Sequence, residues 1–183
     1  MNFKLWVVVV IVLFSIGLVW GLSLPDNSAG ALSTETKALE EFAEFVNSLP
    51  LWAMFGFILL KNVTAVLFGF IMSPLFLVVP VLSLVLNGWL IGAVAGRVVA
   101  EQSVGYLVAG LLPHGVFELP ALFIGEVAAL GFGVAIMQAV FTGKRDQLMP
   151  KLKTNLKYLG ISFVLFLPAA LMETFVTPLL LRG

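Results

Sequence analysis

The chain has 183 residues, of which 61% are hydrophobic and only 11% are charged, and its basic and acidic residues balance. A soluble domain is about 45–50% apolar and about 25% charged, so this composition excludes a water-soluble globular domain, and its high hydrophobicity excludes a disordered chain. It indicates a polytopic membrane protein. The chain lacks the excess of basic charge that a nucleic-acid partner requires. The absence of cysteine excludes disulfides and thiolate metal sites.

The first apolar run, residues 3–22, is long enough to cross a hydrocarbon core of about 30 Å as a helix. We predict an uncleaved anchor helix there, since the run is longer than the core of a usual signal peptide. The next segment, residues 23–50, contains five acidic residues and one lysine. Apolar residues recur at helical spacing over 34–48, which predicts an amphipathic helix that is either a solvated connector or a docking surface for a protein partner.

The rest of the chain continues the single all-α transmembrane domain, over residues 1–183, with four more predicted spans: 51–71, 75–97, 121–142 and 158–181. Residues 103–120 contain two prolines, and because proline interrupts the hydrogen bonds of a helix, we predict a broken or re-entrant segment there.

The direction of the spans follows from one basic segment. Residues 143–157 carry five basic residues and one acidic residue, so the positive-inside rule places this loop in the cytoplasm. Counting crossings from there predicts a cell-membrane protein with five full crossings, a cytoplasmic N-terminus and an external C-terminus.

Several polar and charged side chains lie within or beside the apolar runs, where an ionisable group costs about 2.5–3.5 kcal/mol. They are Lys61, Asn62, Asn87, Arg97, His114, Glu118, Glu126 and Glu173. Clustering lowers that cost, and two of them, His114 and Glu118, are spaced to lie on one face of a helix. We therefore predict a buried polar cluster centred on this pair.

Three interpretations of the cluster remain open. It is a structural network that fixes helix packing, the ion or proton path of a transporter or channel, or the site of an intramembrane hydrolase that uses His114 and Glu118. A metal-dependent hydrolase is disfavoured, because the chain has one histidine and no cysteine, and His-x-x-x-Glu is not the His-Glu-x-x-His pattern. We expect no catalytic residue, no metal ion and no cofactor.

Small residues repeat every four positions in two of the predicted spans. One stripe contains Gly88, Gly92 and Gly96, and a second contains Gly125, Ala129 and Gly133. Such stripes allow close approach of two helices, either within one chain or along the interface of a homodimer.

One stretch of sequence resembles a family signature. Residues 113–121, Pro-His-Gly-Val-Phe-Glu-Leu-Pro-Ala, are similar to the His-Gly-x-x-Glu-x-Pro-Ala pattern of the stage II sporulation protein M family of integral membrane proteins. Flanking stretches match in the expected order: Lys61 and Asn62, residues 86–92, residues 169–173 and Pro178.

The resemblance implies a small membrane protein without enzymatic activity. In endospore-forming bacteria such a protein is the scaffold that recruits a peptidoglycan hydrolase and a lytic transglycosylase. The positions that match the family motif are Asn87, His114, Glu118 and Glu173.

We therefore predict a non-catalytic membrane scaffold, with a transporter or channel and an intramembrane hydrolase as alternatives. Its expected partners are the lipid bilayer, a second copy of the chain in a homodimer, and a protein bound at helix 34–48.

Overall fold

The computed structural model describes residues 3–23, 48–143 and 145–181. Across these ranges the chain forms helices joined by turns, and they contain no strand. Most of the amphipathic helix predicted over 34–48 lies outside the described residues, so it stays a prediction.

Five helices in the described ranges are long and apolar enough to span a membrane. The first four are α1 (Phe3–Leu22), α2 (Leu51–Met72), α3 (Val78–Glu101) and α4 (Val104–Phe141). The fifth is continuous and is built from α5 (Leu148–Leu171), a π-helical segment (Met172–Val176) and α6 (Thr177–Leu180), which together we call the C-terminal rod. The short 3₁₀ turn Arg145–Gln147 precedes it. The prediction of an all-α bundle with five spanning helices is confirmed. Much of the predicted basic loop 143–157 is helical, because α5 already begins at Leu148.

Helix α4 differs from the prediction. It runs without interruption for 38 residues and contains Pro113 and Pro120, in place of the broken or re-entrant segment predicted over 103–120. A proline removes one backbone donor and crowds the preceding turn, and neighbouring helices in a membrane bundle can hold a helix together across that defect. Its start is well defined, because the Ser103 hydroxyl accepts a hydrogen bond from the backbone N–H of Tyr106 at 3.1 Å.

Helix α4 forms the centre of the bundle. Every residue from Gly125 to Gly131 is buried, whereas α1, α2 and α3 bury only single stripes. Its most extensive contact is with α5, and it also touches α1, α2 and α3. At 38 residues it is about 57 Å long, nearly twice the thickness of the hydrocarbon core. Side chains on α4 therefore meet every other spanning helix.

Helices α1 and α3 pack in parallel through glycines on both partners. A Cβ added at Gly17 or Gly21 would overlap the backbone of α3, and one added at Gly88 or Gly92 would overlap the backbone of α1. Backbones this close allow dispersion contacts that drive helix association in lipid. The stripe at Gly88 and Gly92 is thus occupied within the chain and is not available to a dimer interface, whereas a Cβ added at Gly96 would have no described neighbour within 4 Å.

The second glycine stripe brings other elements against α4. A Cβ added at Gly125 would overlap the side chains of Val66 on α2 and Ser162 on α5. One added at Gly133 would overlap the side chain of Leu77 and the backbone of Ser73 in the turn between α2 and α3. Both glycines therefore contact residues of their own chain.

The close contact between α1 and α3 predicts a difference between two neighbouring glycines. Gly92→Ala should lower the free energy of unfolding by about 1–3 kcal/mol, because the new Cβ would overlap the carbonyl oxygen of Leu18. Gly96→Ala, one turn further along the same face, is the matched control and should leave stability unchanged or slightly higher. Thermal unfolding of the purified protein in one detergent measures both, and an equal loss in the two variants would contradict this packing.

Candidate functional site

Three titratable side chains meet where α4 packs against the C-terminal rod. His114 and Glu118 lie one turn apart on α4, with 3.7 Å between Nε2 and Oε2. Glu173 of the π-helical segment joins them, and one ligand atom from each of the three lies within 4.8 Å of the other two. We call these three residues the His-Glu-Glu cluster.

The imidazole of His114 is oriented by a hydroxyl on its other side. Its Nδ1 lies 3.4 Å from Oγ1 of Thr177, and that hydroxyl donates to the backbone carbonyl of Met172 at 3.2 Å. With its own hydrogen directed to Met172, the Thr177 oxygen can accept from the ring, and a neutral imidazole would then carry its proton on Nδ1. Nε2 then presents its lone pair toward Glu118.

Glu173 reaches the cluster from a segment in which the helix that carries it changes from the α type to the π type. Over Met172–Val176 the helix is of the π type, and the backbone N–H of Thr177 bonds to the carbonyl of Met172, five residues earlier. Pro178, in the first turn of α6, has no N–H with which to continue the α-helical pattern across this segment. Such π segments occur frequently at functional sites.

The cluster carries more negative than positive groups and is only partly enclosed. Glu118 and Glu173 are like charges, and Lys61 on α2 is close enough to act electrostatically on Glu173. The side chains of His114 and Glu118 are 14% and 29% exposed, so the cluster can be reached from the surface of the bundle.

Glu126 forms a separate polar site and does not join the cluster. Its side chain is fully buried where α2, α3 and α4 meet, and Oε1 accepts a hydrogen bond from the Ser83 hydroxyl at 2.6 Å. The other oxygen, Oε2, has no hydrogen-bond partner within the described ranges. Gly69 of α2 lies against this carboxyl: a Cβ added there would be 3.6 Å from both of its oxygens, an ordinary contact.

The remaining polar residues of the predicted cluster lie apart from it. Asn62 is buried, and its Nδ2 has no hydrogen-bond partner in the described part of the chain. Asn87 donates Nδ2 to the Ser83 carbonyl at 2.8 Å, within its own helix. Arg97 pairs with Glu101 at 3.6 Å, and both side chains are at least half exposed, so Arg97 does not neutralise a buried carboxylate.

Two hydroxyl residues that complete these sites were missed by sequence reasoning. Ser83 holds Glu126, and Thr177 holds His114. A small hydroxyl inside an apolar span is a weak sequence signal for an interhelical hydrogen bond, because such residues also bond to their own helix.

The clearest cavities of the described chain are remote from the His-Glu-Glu cluster. Each has a volume of about 170 Å³. One is lined by residues of α5 from Pro150 to Tyr158, and the other lies between Trp6, Gln138 and Lys151. The cluster is therefore a shallow polar site between helices, with one imidazole nitrogen and two carboxyl groups that can share protons or bind a cation.

Comparison with known proteins places the chain among membrane proteins of one family. The family model for stage II sporulation protein M matches residues 8–178. An uncharacterized protein of Methanocaldococcus jannaschii is 24% identical over 177 residues, which cover 96% of this chain and 95% of that protein. A second uncharacterized protein of the same organism is 27% identical over 120 residues, or 64% of this chain and 52% of its own length. No solved structure matches the chain.

Proposed function

Since the chain belongs to the stage II sporulation protein M family, we propose that it is a non-catalytic scaffold that holds partner proteins at the membrane. The family match over residues 8–178 confirms the resemblance that the His114–Glu118 motif carries, and with the five apolar helices it indicates a multi-pass membrane protein.

The observation that carries this proposal is where the titratable side chains lie. Glu126 is enclosed at a junction of three helices and bonded to Ser83, and His114 connects α4 to the C-terminal rod through Thr177. The two clearest cavities do not reach either site. This arrangement supports the use of polar groups as links between helices, which a scaffold needs, rather than as the lining of a substrate pocket.

The proposed docking surface for partner proteins is the predicted helix 34–48, which belongs to the acidic segment of residues 23–50. The five acidic residues and one lysine of that segment would attract a basic surface on the partner. Self-association is also part of the proposal, and its contact would use residues other than Gly88 and Gly92, which α1 occupies.

We further propose that the N-terminus is cytoplasmic and the C-terminus external. The ring of Phe3 packs on that of Tyr158 with 4.7 Å between centroids, and Trp6 and Lys151 line one cavity. The start of α1 and the basic residues of α5 therefore lie at the same end of the bundle. The positive-inside rule favours the cytoplasm for that end, and five crossings then lead outside.

The orientation can be tested on the native background because the chain has no cysteine. Gln102→Cys, between α3 and α4, should react with a membrane-impermeant maleimide in intact cells. Lys153→Cys, at the opposite end of the bundle, should react only after the membrane is permeabilised. Both positions are exposed. Labelling of Lys153→Cys in intact cells would contradict the proposed orientation.

The scaffold role predicts a partner that depends on the acidic segment. After crosslinking in its native cells and purification in a mild detergent, the chain should retain a defined partner at fixed stoichiometry. Replacing Glu35, Glu40, Glu41 and Glu44 by glutamine should release that partner, and so should high salt, because exposed charges are screened.

The matched control replaces Lys151, Lys153 and Lys157 by glutamine on the other membrane face, and it should retain the partner. Proteoliposomes that contain the purified chain should neither hydrolyse lipid, peptide or wall substrates nor conduct ions. An activity of either kind that His114→Ala abolishes would overturn the scaffold role.

A further inference from the structure

The His-Glu-Glu cluster has the donor atoms of a metal site, and we propose that it binds a divalent transition-metal ion such as Zn²⁺. The ligands are Nε2 of His114 and one carboxylate oxygen each from Glu118 and Glu173. This inference does not depend on the scaffold role, and it goes against the expectation of a metal-free protein that the single histidine suggested.

The spacing of the donor atoms is close to that of a bound state. Zinc binds nitrogen and carboxylate oxygen at about 2.0–2.2 Å, so two ligand atoms on one ion lie at most about 4 Å apart. The His114 and Glu118 atoms are already 3.7 Å apart, and the largest separation in the cluster is within 4.8 Å. A side-chain movement of about 1 Å by Glu173 would complete the set.

The imidazole is prepared for coordination by its second-shell contact. A metal-binding histidine usually donates its other ring N–H to a nearby oxygen, which fixes the ring and leaves one lone pair for the ion. Here Nδ1 faces the hydroxyl of Thr177, which itself is held by the carbonyl of Met172. Nε2 is left on the side of Glu118.

The charge of the cluster favours a divalent cation. Two ionised carboxylates close together at membrane depth repel each other and are poorly solvated. Lys61 supplies a single positive charge toward Glu173 and is itself exposed. The double positive charge of one divalent ion would neutralise both carboxylates, whereas hydrogen bonds to the two groups would leave their charges in place.

The ligand set also selects the kind of ion. One nitrogen and two oxygens suit zinc, manganese or iron, whereas magnesium prefers oxygen ligands alone and copper(I) prefers sulfur. Three protein ligands leave a coordination position for water, and the partly exposed Glu118 provides an entry route. A bound ion would connect α4 to the π-helical segment and so tie the C-terminal rod to the centre of the bundle.

The test measures metal in the full chain, purified in detergent with a tag that contains no histidine. After chelation and dialysis against Zn²⁺, mass spectrometry should find about one ion per chain, and the same Zn²⁺ should raise the melting temperature of the stripped protein. Mg²⁺ should do neither. Thr177→Val should keep the site but weaken Zn²⁺ binding by about 10–100-fold, because it removes only the second-shell contact.

Two conservative variants and two controls separate binding from folding. His114→Gln and Glu173→Gln should lose the ion and the Zn²⁺-dependent rise in melting temperature. Glu101→Gln, at an exposed carboxylate, and Glu126→Gln, at a fully buried one, should keep both. Each variant is first compared with the metal-free wild type by size-exclusion chromatography and by its melting temperature without metal. This comparison identifies a variant that fails to fold.

Either of two results would overturn the proposal. The wild-type chain takes up no Zn²⁺, or the His114→Gln variant takes up as much Zn²⁺ as the wild type. The wild-type measurement decides the matter even if both cluster variants are unstable. A wild-type chain that binds Zn²⁺ but retains no partner protein would count against the scaffold role alone.

Discussion

The constraint on which the structure depends is that lipid offers a polar side chain no partner, so a polar group in the spans is costly unless the protein itself provides one. Glu126 on α4 is held by Ser83 on α3, and His114 on α4 is held by Thr177 on the C-terminal rod. In both cases the partner comes from a different helix. The polar contacts between spans therefore help to decide which helices are neighbours, together with the close glycine packing of α1 against α3.

The bundle is assembled from two closely packed helix pairs. The two most extensive contacts join α1 to α3 and α4 to the C-terminal rod. Within the first pair, glycines on both helices bring the backbones together. The hydrogen bond from Ser83 to Glu126 then links α3 of one pair to α4 of the other. A buried carboxyl thus stands at the junction of two helix pairs, where its loss would affect the whole bundle rather than one contact.

The fold was largely predictable from the sequence, because the length of an apolar run fixes the number of crossings. The clear difference is in α4, which was predicted to break because proline interrupts a helix. Pro113 and Pro120 instead lie within one continuous helix that neighbouring helices support. The pair His114 and Glu118 follows from spacing alone. Glu173 was part of the predicted cluster, but the sequence does not reveal the π-helical segment in which it lies. Ser83 and Thr177 could not be predicted, because a hydroxyl gives no sign of its partner.

If polar groups join α4 to the C-terminal rod, then His114 and Glu173, whose ligand atoms lie within 4.8 Å of each other, must be energetically coupled. A double-mutant cycle tests this coupling most directly, with unfolding free energies measured for His114→Ala, Glu173→Gln and the double variant in the same detergent. The account predicts a coupling energy of about 0.5–3 kcal/mol between the two positions. Effects that simply add would mean that the two side chains do not interact, and they would contradict the account.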